Sequence, residues 1–194
     1  MISWIATISY EESDGYLREL YEQVKTPHGT VDNVMKAHSL RPHTMAGHLA
    51  LYKSVLHSPQ NTLPLWFLET VASYTSLINT CAYSFAHHFN NVRRLVGDGT
   101  RAAAIEQALQ AREPEAAFAG KELALLRYTA KLTARPGAMV EADVTTLRAA
   151  GATDGEILEV NQVCAYFSYS NRLLNGLGVT TQGDVIGYYG TGEK

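Results

Sequence analysis

Apolar residues recur every three to four positions along nearly the whole chain, which is the spacing of helices that bury one face. The strict alternation of apolar and polar residues that is typical of strands is missing from the sequence. We therefore predict an all-α fold. The pattern indicates helices at residues 11–25, 31–39, 42–57, 63–79, 81–96, 100–111, 119–134, 141–150 and 154–177.

Proline and glycine stand at the breaks between these helices, for example at residues 27–29, 97–99 and 135–137. Thr153 or Asp154 is placed to cap the last long helix, and Gly176 with Gly178 is placed to end it. None of the breaks resembles a linker, so we predict one domain over residues 1–194. We expect its peripheral segments, about residues 1–30 and 180–194, to cover a neighbouring subunit or to close a pocket.

The predicted helix at residues 63–79 is apolar on almost every side, yet it carries Glu69 near its middle. A carboxylate on such a helix is costly unless it is paired or protonated. If this helix packs against the next one, Glu69 reaches the polar face of that neighbour. The alternative is a structural ion pair, for example with Arg93 or Arg172.

The next predicted helix opens with the segment CAYSFAHH at residues 81–88. At about 100° per residue, Ser84 lies about 60° and His88 about 20° from Cys81, so these three share one face while His87 points elsewhere. We predict that Thr80 caps this helix and that Cys81 begins it. The positive end of the helix dipole would then favour the Cys81 thiolate. Ser84 and His88 are one turn apart and are predicted to hydrogen-bond.

These residues resemble the carboxymuconolactone decarboxylase and alkylhydroperoxidase-D-like superfamily, in its uncharacterised peroxidase-related branch. In alkylhydroperoxidase-D-like members a glutamate is followed twelve residues later by Cys-x-x-Cys-x-x-x-His, and the four side chains form a proton relay around a redox-active cysteine pair. Glu69, Cys81 and His88 match this pattern, and Ser84 replaces the second cysteine. The resemblance extends to the segments NVMKAHSLRPHTMAGHLALYKSVL, ALLRYTAKLTARPG, LRAAGATDGEILEV and YSNRLLNGLGV. It implies an alkylhydroperoxidase-D-like helical bundle that assembles as a homo-oligomer.

The serine changes what the resemblance implies about chemistry. In the peroxidase members the second cysteine attacks peroxide and the first resolves the sulfenic acid that forms. Ser84 cannot do this, and no Cys-x-x-Cys disulfide can form, so the two-cysteine cycle is excluded. Decarboxylase members use acid and base residues without a cysteine pair. Glu69, Cys81, Ser84 and His88 therefore remain the candidate catalytic residues.

The composition of the chain limits the classes of partner that it is expected to bind. The 194 residues carry a net charge of -3 with a pI near 6.1, which gives no electrostatic case for nucleic acid or an anionic membrane surface. No apolar run approaches the roughly 18 to 20 residues of a membrane span. The first residues lack the basic region of a signal peptide, so we expect a cytoplasmic protein. We predict a small-molecule substrate and, for a redox role, an external thiol reductant.

The sequence gives less support for a functional role of the remaining candidate residues. Cys164 lies on an apolar stripe and is expected to pack in the core; it could resolve a Cys81 sulfenate only if the two Cβ atoms come within about 4.5 Å. A metal site could be formed only by ligand atoms of mixed softness, from Glu69, His88 and Cys81. We predict neither a metal nor a cofactor. Asn171-Arg172 resembles an Asn-Arg pair of the family and is otherwise a structural link. Six aromatic residues line either the pocket or the core: Tyr83, Phe85, Phe89, Tyr166, Phe167 and Tyr169.

Three functions follow from these residues. The first is hydroperoxide reduction by a one-cysteine route, with Cys81 as the nucleophile and His88 and Glu69 as the relay. The second is a non-redox enzyme of the decarboxylase type, in which His88 and Glu69 move protons on a small organic acid or lactone and Ser84 orients it. The third is a catalytically silent member that binds a small molecule or acts as an oligomeric scaffold.

Overall fold

The computed structural model describes residues 1–187, and within that range it contains nine α-helices and no strand. The all-α prediction is confirmed, and most helix ends lie within two residues of the predicted ones. The first two helices are shorter than predicted because turns replace their outer residues. The helices are α1 (Gly15–Val24), α2 (Asn33–Lys36), α3 (Pro42–Leu56), α4 (Leu65–Ile78), α5 (Ala82–Val96), α6 (Gly99–Ala111), α7 (Gly120–Ala134), α8 (Glu141–Ala149) and α9 (Asp154–Gly176).

Helix α4 is the centre of the bundle, because it packs against α5, α7 and α9 together. Every residue from position 67 to position 76 is buried. A helix that is apolar all round has to be covered on all sides, so this burial follows from its composition. The main core forms around it, with Phe67, Phe89, Leu125 and Phe167 among its members. Full burial of each such side chain contributes roughly 1.5–3 kcal/mol.

Helix α9 begins and ends as predicted. The Thr153 side chain accepts a hydrogen bond from the Glu156 backbone N–H, and the Glu156 carboxylate accepts one from the Thr153 N–H. This capping box satisfies two backbone donors that the helix leaves without partners. The helix ends at Gly176, and Gly178 follows with a φ of 59°. A side chain at position 178 would collide with the ring of Trp4, so glycine allows the N-terminal segment to pack there.

Residues 180–187, the described part of the predicted C-terminal tail, lie against α2 and α5. The Asp184 carboxylate accepts hydrogen bonds from the Tyr83 hydroxyl at 2.6 Å and from the Asn33 backbone N–H at 3.0 Å. The Asn33 side chain also donates to two carbonyls of this segment. Gly187, at the end of this described segment, lines the cavity described below. Residues 188–194, which include the Tyr188-Tyr189-Gly190 part of the tail, lie outside the described residues.

The helices formed by residues 1–187 include none that is long and apolar enough to cross a membrane.

Candidate active site

A buried carboxylate on α4 and a histidine on α5 form the centre of the site. His88 Nδ1 lies 2.6 Å from Glu69 Oε2, and the Asn91 side-chain amide donates to Glu69 Oε1 at 3.1 Å. Glu69 is 0% exposed. An ionised carboxylate can only accept hydrogen bonds, so His88 donates through Nδ1. In the neutral ring, Nε2 is then the nitrogen that accepts a proton.

Glu69 therefore reaches the polar face of α5, as predicted, and its partner is a histidine rather than an arginine. Arg93 forms an ion pair with Glu106, and Arg172 donates to the Ser168 carbonyl. The two alternative arginine partners are both occupied elsewhere.

Ser84 does not form the predicted hydrogen bond with His88. The Ser84 hydroxyl lies 2.9 Å from the Ser76 hydroxyl, and the Asn171 amide donates to Ser76 at 3.3 Å. His88 is turned towards Glu69 instead, because α4 offers it a charged acceptor. Ser84 thus belongs to a small polar network that links α4, α5 and α9.

Cys81 differs from the sequence prediction in two respects. Thr80 has a φ of 55° and lies in the turn between α4 and α5, so it does not cap the helix; Cys81 is the N-cap residue and α5 begins at Ala82. Cys81 is 1% exposed. Burial raises the pKa of the Cys81 thiol, although hydrogen bonds from Ser84, Asn171 and Tyr83 act in the opposite direction. The predicted preference for thiolate is wrong, because desolvation of the negative charge outweighs the helix terminus.

A cavity lies beside this network, with an empty volume of about 540 Å³ that includes space open to solvent. Its polar lining consists mainly of Ser84, His87, His88 and Asn91 from α5, His48 and Tyr52 from α3, and Tyr166 and Ser170 from α9. Cys81 and Glu69 are not among the lining residues. The structure therefore brings two of the predicted residues, Ser84 and His88, to the cavity and places the other two behind its wall.

His87 also lines the cavity, so the prediction that it points elsewhere is wrong. Its ring stacks on Tyr83 at a centroid distance of 4.7 Å, and its Nε2 lies 3.5 Å from the Asp184 carboxylate. Tyr83 and Gly187 line the same cavity. The cavity therefore extends around α5 to the C-terminal segment, and a helical projection alone could not show this.

Sequence analysis missed His48, which lies on α3. Its Nε2 is 3.0 Å from the Tyr166 hydroxyl, and burial lowers the pKa of His48 to about 3. Burial also raises the pKa of Tyr166. The available signal was spacing, because Met45, His48 and Tyr52 stand at i, i+3 and i+7 and so share one face of α3. Asn91, three residues after His88, was missed although the same rule identifies it.

The other predicted groups are placed as follows. Cys164 is buried, with its Sγ 3.1 Å from the Thr133 hydroxyl, and both cysteines are free thiols. Of the six aromatic residues, Tyr83 and Tyr166 line the cavity, while Phe89 and Phe167 belong to the core. Residues 1–187 contain no group of three or more His, Cys, Asp or Glu side chains placed to hold a metal ion.

Several solved structures share this fold. An uncharacterised peroxidase-related protein with an alkylhydroperoxidase core, from Ralstonia eutropha JMP134, is 22% identical with a TM-score of 0.82, and the alignment covers 95% of this chain and 94% of that one. A peroxidase-related protein from Silicibacter sp. TM1040 is 23% identical with a TM-score of 0.75, over 94% and 91%. The debrominase Bmp8 is 12% identical with a TM-score of 0.72, over 94% and 92%.

No protein-family model matches the chain, and no curated protein sequence matches it either. At these identities the structural likeness establishes the fold. The chain has the alkylhydroperoxidase-D-like fold, and the resemblance read from its sequence is confirmed at that level.

Proposed function

We propose that this chain, with its alkylhydroperoxidase-D-like fold, is an acid–base enzyme that moves protons on a small molecule bound in the cavity. The observation that supports this most directly is the 2.6 Å hydrogen bond between His88 and Glu69. It connects a histidine at the cavity wall to a carboxylate that solvent does not reach. A base held in this way by a buried carboxylate is suited to proton transfer.

In the proposed reaction His88 Nε2 accepts a proton from the substrate and becomes an imidazolium. The Glu69 carboxylate stabilises that positive charge through the bond at Nδ1, and the Asn91 amide keeps the carboxylate oriented. His88 then returns the proton to another atom of the substrate or to its leaving group. Ser84, whose hydroxyl is held near Ser76, orients the substrate. General acid–base catalysis of this kind contributes about 10²–10⁴-fold to a rate.

A second candidate is reduction of a hydroperoxide by Cys81, as in a one-cysteine peroxidase. It is supported by the hydrogen bonds from Ser84, Asn171 and Tyr83, which stabilise a thiolate at this position. Two structural neighbours are described as peroxidase-related. A third is a debrominase that was also crystallised with 2,3,4-tribromopyrrole, so this fold supports more than one chemistry. The thiolate would attack a peroxide oxygen, release the alcohol and leave a sulfenic acid for an external thiol to reduce. Burial of Cys81 behind the cavity wall makes this the second choice.

Proton exchange tests the first candidate. Small lactones, carbonyl compounds, phenols and azoles are incubated with the protein in D₂O, and exchange or conversion is followed by NMR. We expect His88→Gln to lower the rate by about 10²–10⁴-fold and Glu69→Gln to lower it by a similar factor. The matched control is His43→Gln, because His43 is an exposed histidine on α3. An unchanged rate in His88→Gln contradicts the proposal, and no conversion by the wild type favours a silent binding protein.

Intact mass with a sulfenate trap tests the second candidate. Wild type, Cys81→Ser and Cys164→Ser are compared before and after a modest excess of peroxide. A trap adduct that is lost only in Cys81→Ser would establish a working thiol and favour the redox function. An unchanged mass would remove that function and leave proton transfer.

A further inference from the structure

Asn91 lines the cavity, and its side-chain oxygen has no hydrogen-bond partner among residues 1–187. Its Nδ2 donates to Glu69 Oε1, which fixes the amide so that Oδ1 is the other end. Asn91 is 3% exposed and lines the cavity, and among the residues that the structure describes none hydrogen-bonds to Oδ1. Buried polar atoms are rarely left without a partner. An amide oxygen only accepts, so the missing partner is an N–H or O–H donor.

His88 lies one turn before Asn91 on the same helix and offers a second acceptor. Its Nδ1 is committed to Glu69, so a neutral ring accepts through Nε2. Side chains three residues apart on a helix are neighbours. These two residues therefore bring two acceptors to the lining of one cavity, and a ligand with two neighbouring donors would match them.

Aromatic rings form much of the remaining wall. Tyr52 lies with its ring centroid 5.8 Å from that of Tyr166 and 6.3 Å from that of His88, and Tyr83 lines the cavity as well. Rings at such positions favour stacking and edge contacts with a flat molecule. A planar ligand fits this lining better than a branched aliphatic one.

The charges around the cavity argue against an anion. In the described part of the chain its lining contains neither lysine nor arginine, and it includes Asp32. Further carboxylates stand directly behind two of the lining histidines, Glu69 behind His88 and Asp184 near His87. A ligand carboxylate would meet like charge at short range and would find no cationic partner among these residues.

We infer that the cavity binds an uncharged aromatic molecule with two neighbouring O–H or N–H donors, such as a catechol or an aminophenol, with Asn91 and His88 accepting from the two donors. This substrate class rests on the proposed function of His88 as a base. It narrows the acids and lactones of the superfamily resemblance to neutral, donor-rich rings.

Equilibrium binding of four nitroaromatic probes tests the inference without turnover; it is followed by absorbance at a pH where the three phenols are un-ionised and the benzoate is charged. The probes are 4-nitrocatechol, its 2-methoxy-4-nitrophenol analogue with one hydroxyl methylated, 4-nitrophenol, and 4-nitrobenzoate. We expect 4-nitrocatechol to bind about tenfold more tightly than 4-nitrophenol, because one further hydrogen bond is made. The methoxy analogue should lose that advantage, and 4-nitrobenzoate should bind most weakly. Tightest binding of 4-nitrobenzoate, or equal binding of all four probes, would overturn the inference.

The variant Asn91→Leu tests whether Asn91 is the acceptor for the second donor of the ligand. In this variant 4-nitrocatechol and 4-nitrophenol should bind equally, while His43→Gln keeps the wild-type ratio; a wild-type ratio in folded Asn91→Leu would overturn the role of Asn91. If Asn91→Leu does not fold, the methoxy comparison in the wild type still decides the donor requirement. If the four probes bind as expected but no proton exchange depends on His88, the proposed function is refuted and the inferred binding site stands. If His88 catalyses exchange on a ligand without paired donors and 4-nitrocatechol does not bind, the inference about the ligand is refuted and the proposed function stands.

Discussion

Two histidines that line the same cavity differ in their exposure and in the partner that the fold provides. His88 on α5 donates to the Glu69 carboxylate, whereas His48 on α3 meets the Tyr166 hydroxyl. A carboxylate balances the positive charge of a protonated ring, and a neutral phenol does not. Burial accordingly lowers the pKa of His48 to about 3 and keeps that ring neutral. The comparison teaches that burial and partner act together: the buried His48 stays neutral beside a phenol, whereas the partly exposed His88 donates to a carboxylate.

The surroundings extend this contrast beyond the two rings. Around His88, the hydrogen bonds link α5 to α4 through Glu69 and Asn91. Around His48, the neighbours are other rings, with His38 at a centroid distance of 4.9 Å and Tyr169 at 6.0 Å. The cavity wall at His88 therefore stabilises charge, and the cavity wall at His48 disfavours it.

The largest expected effect comes from breaking the charged pair. His88→Leu removes the imidazole that pairs with the buried Glu69 carboxylate and leaves the Asn91 hydrogen bond in place, and we expect a loss of about 3–5 kcal/mol in the free energy of unfolding, measured with urea. Adding Glu69→Gln to His88→Leu should recover part of that loss, because no buried charge remains. His48→Leu serves as the matched comparison and should cost less than His88→Leu. Equal losses in the two single variants would contradict the contrast between the walls.

The second prediction concerns pH. The folded-state pKa of His48 is lowered from 6.5 to about 3, so below pH 6.5 the unfolded chain binds a proton that the folded chain refuses. The stabilisation is therefore complete above pH 6.5 and is lost as the pH falls towards 3, at up to about 1.4 kcal/mol per pH unit. His38, whose pKa is also lowered by burial, contributes in the same direction.

Urea unfolding between pH 7 and pH 4 measures this dependence. His48→Gln should flatten the slope, and His43→Gln, at an exposed position, should leave it unchanged. A slope that is identical in wild type and His48→Gln would show that other groups cause the acid sensitivity.

A smaller effect is expected from the partner of His48. Tyr166→Phe removes the hydroxyl that lies 3.0 Å from His48 Nε2, so we expect a loss of about 0.5–1.5 kcal/mol in thermal or urea unfolding. Tyr169→Phe is the control, because Tyr169 is an exposed tyrosine of the same helix. A loss above about 3 kcal/mol in Tyr166→Phe would mean that this wall also holds a charge.

The smallest effect is expected at Cys81. If proton transfer is the function, Cys81→Ser should change the His88-dependent exchange rate by no more than about twofold, because the thiol lies outside the cavity lining. A rate loss comparable to that of His88→Gln would instead make the thiol part of the chemistry.

Local pattern was sufficient for much of the fold. The spacing of apolar residues identified the helices, and the prolines and glycines between them identified the breaks. Thr153 and Glu156 form their capping box within four residues of each other, so this contact was also readable from the chain. The burial of Glu69 followed from the apolar helix around it. All these features depend on residues that are near one another in sequence.

The sequence by itself determined the helices and the burial of Glu69 on an apolar one, whereas its pairing with His88 was decided by how α4 packs on α5. Only the tertiary structure decided that Cys81 is desolvated, that Ser84 turns to Ser76, and that Gly187 lines the cavity. It also decided that His48 faces Tyr166, 118 positions away along the chain. The physical reason is that hydrogen-bond partners and desolvation depend on which distant segments pack together. Helical periodicity carries no information about that choice.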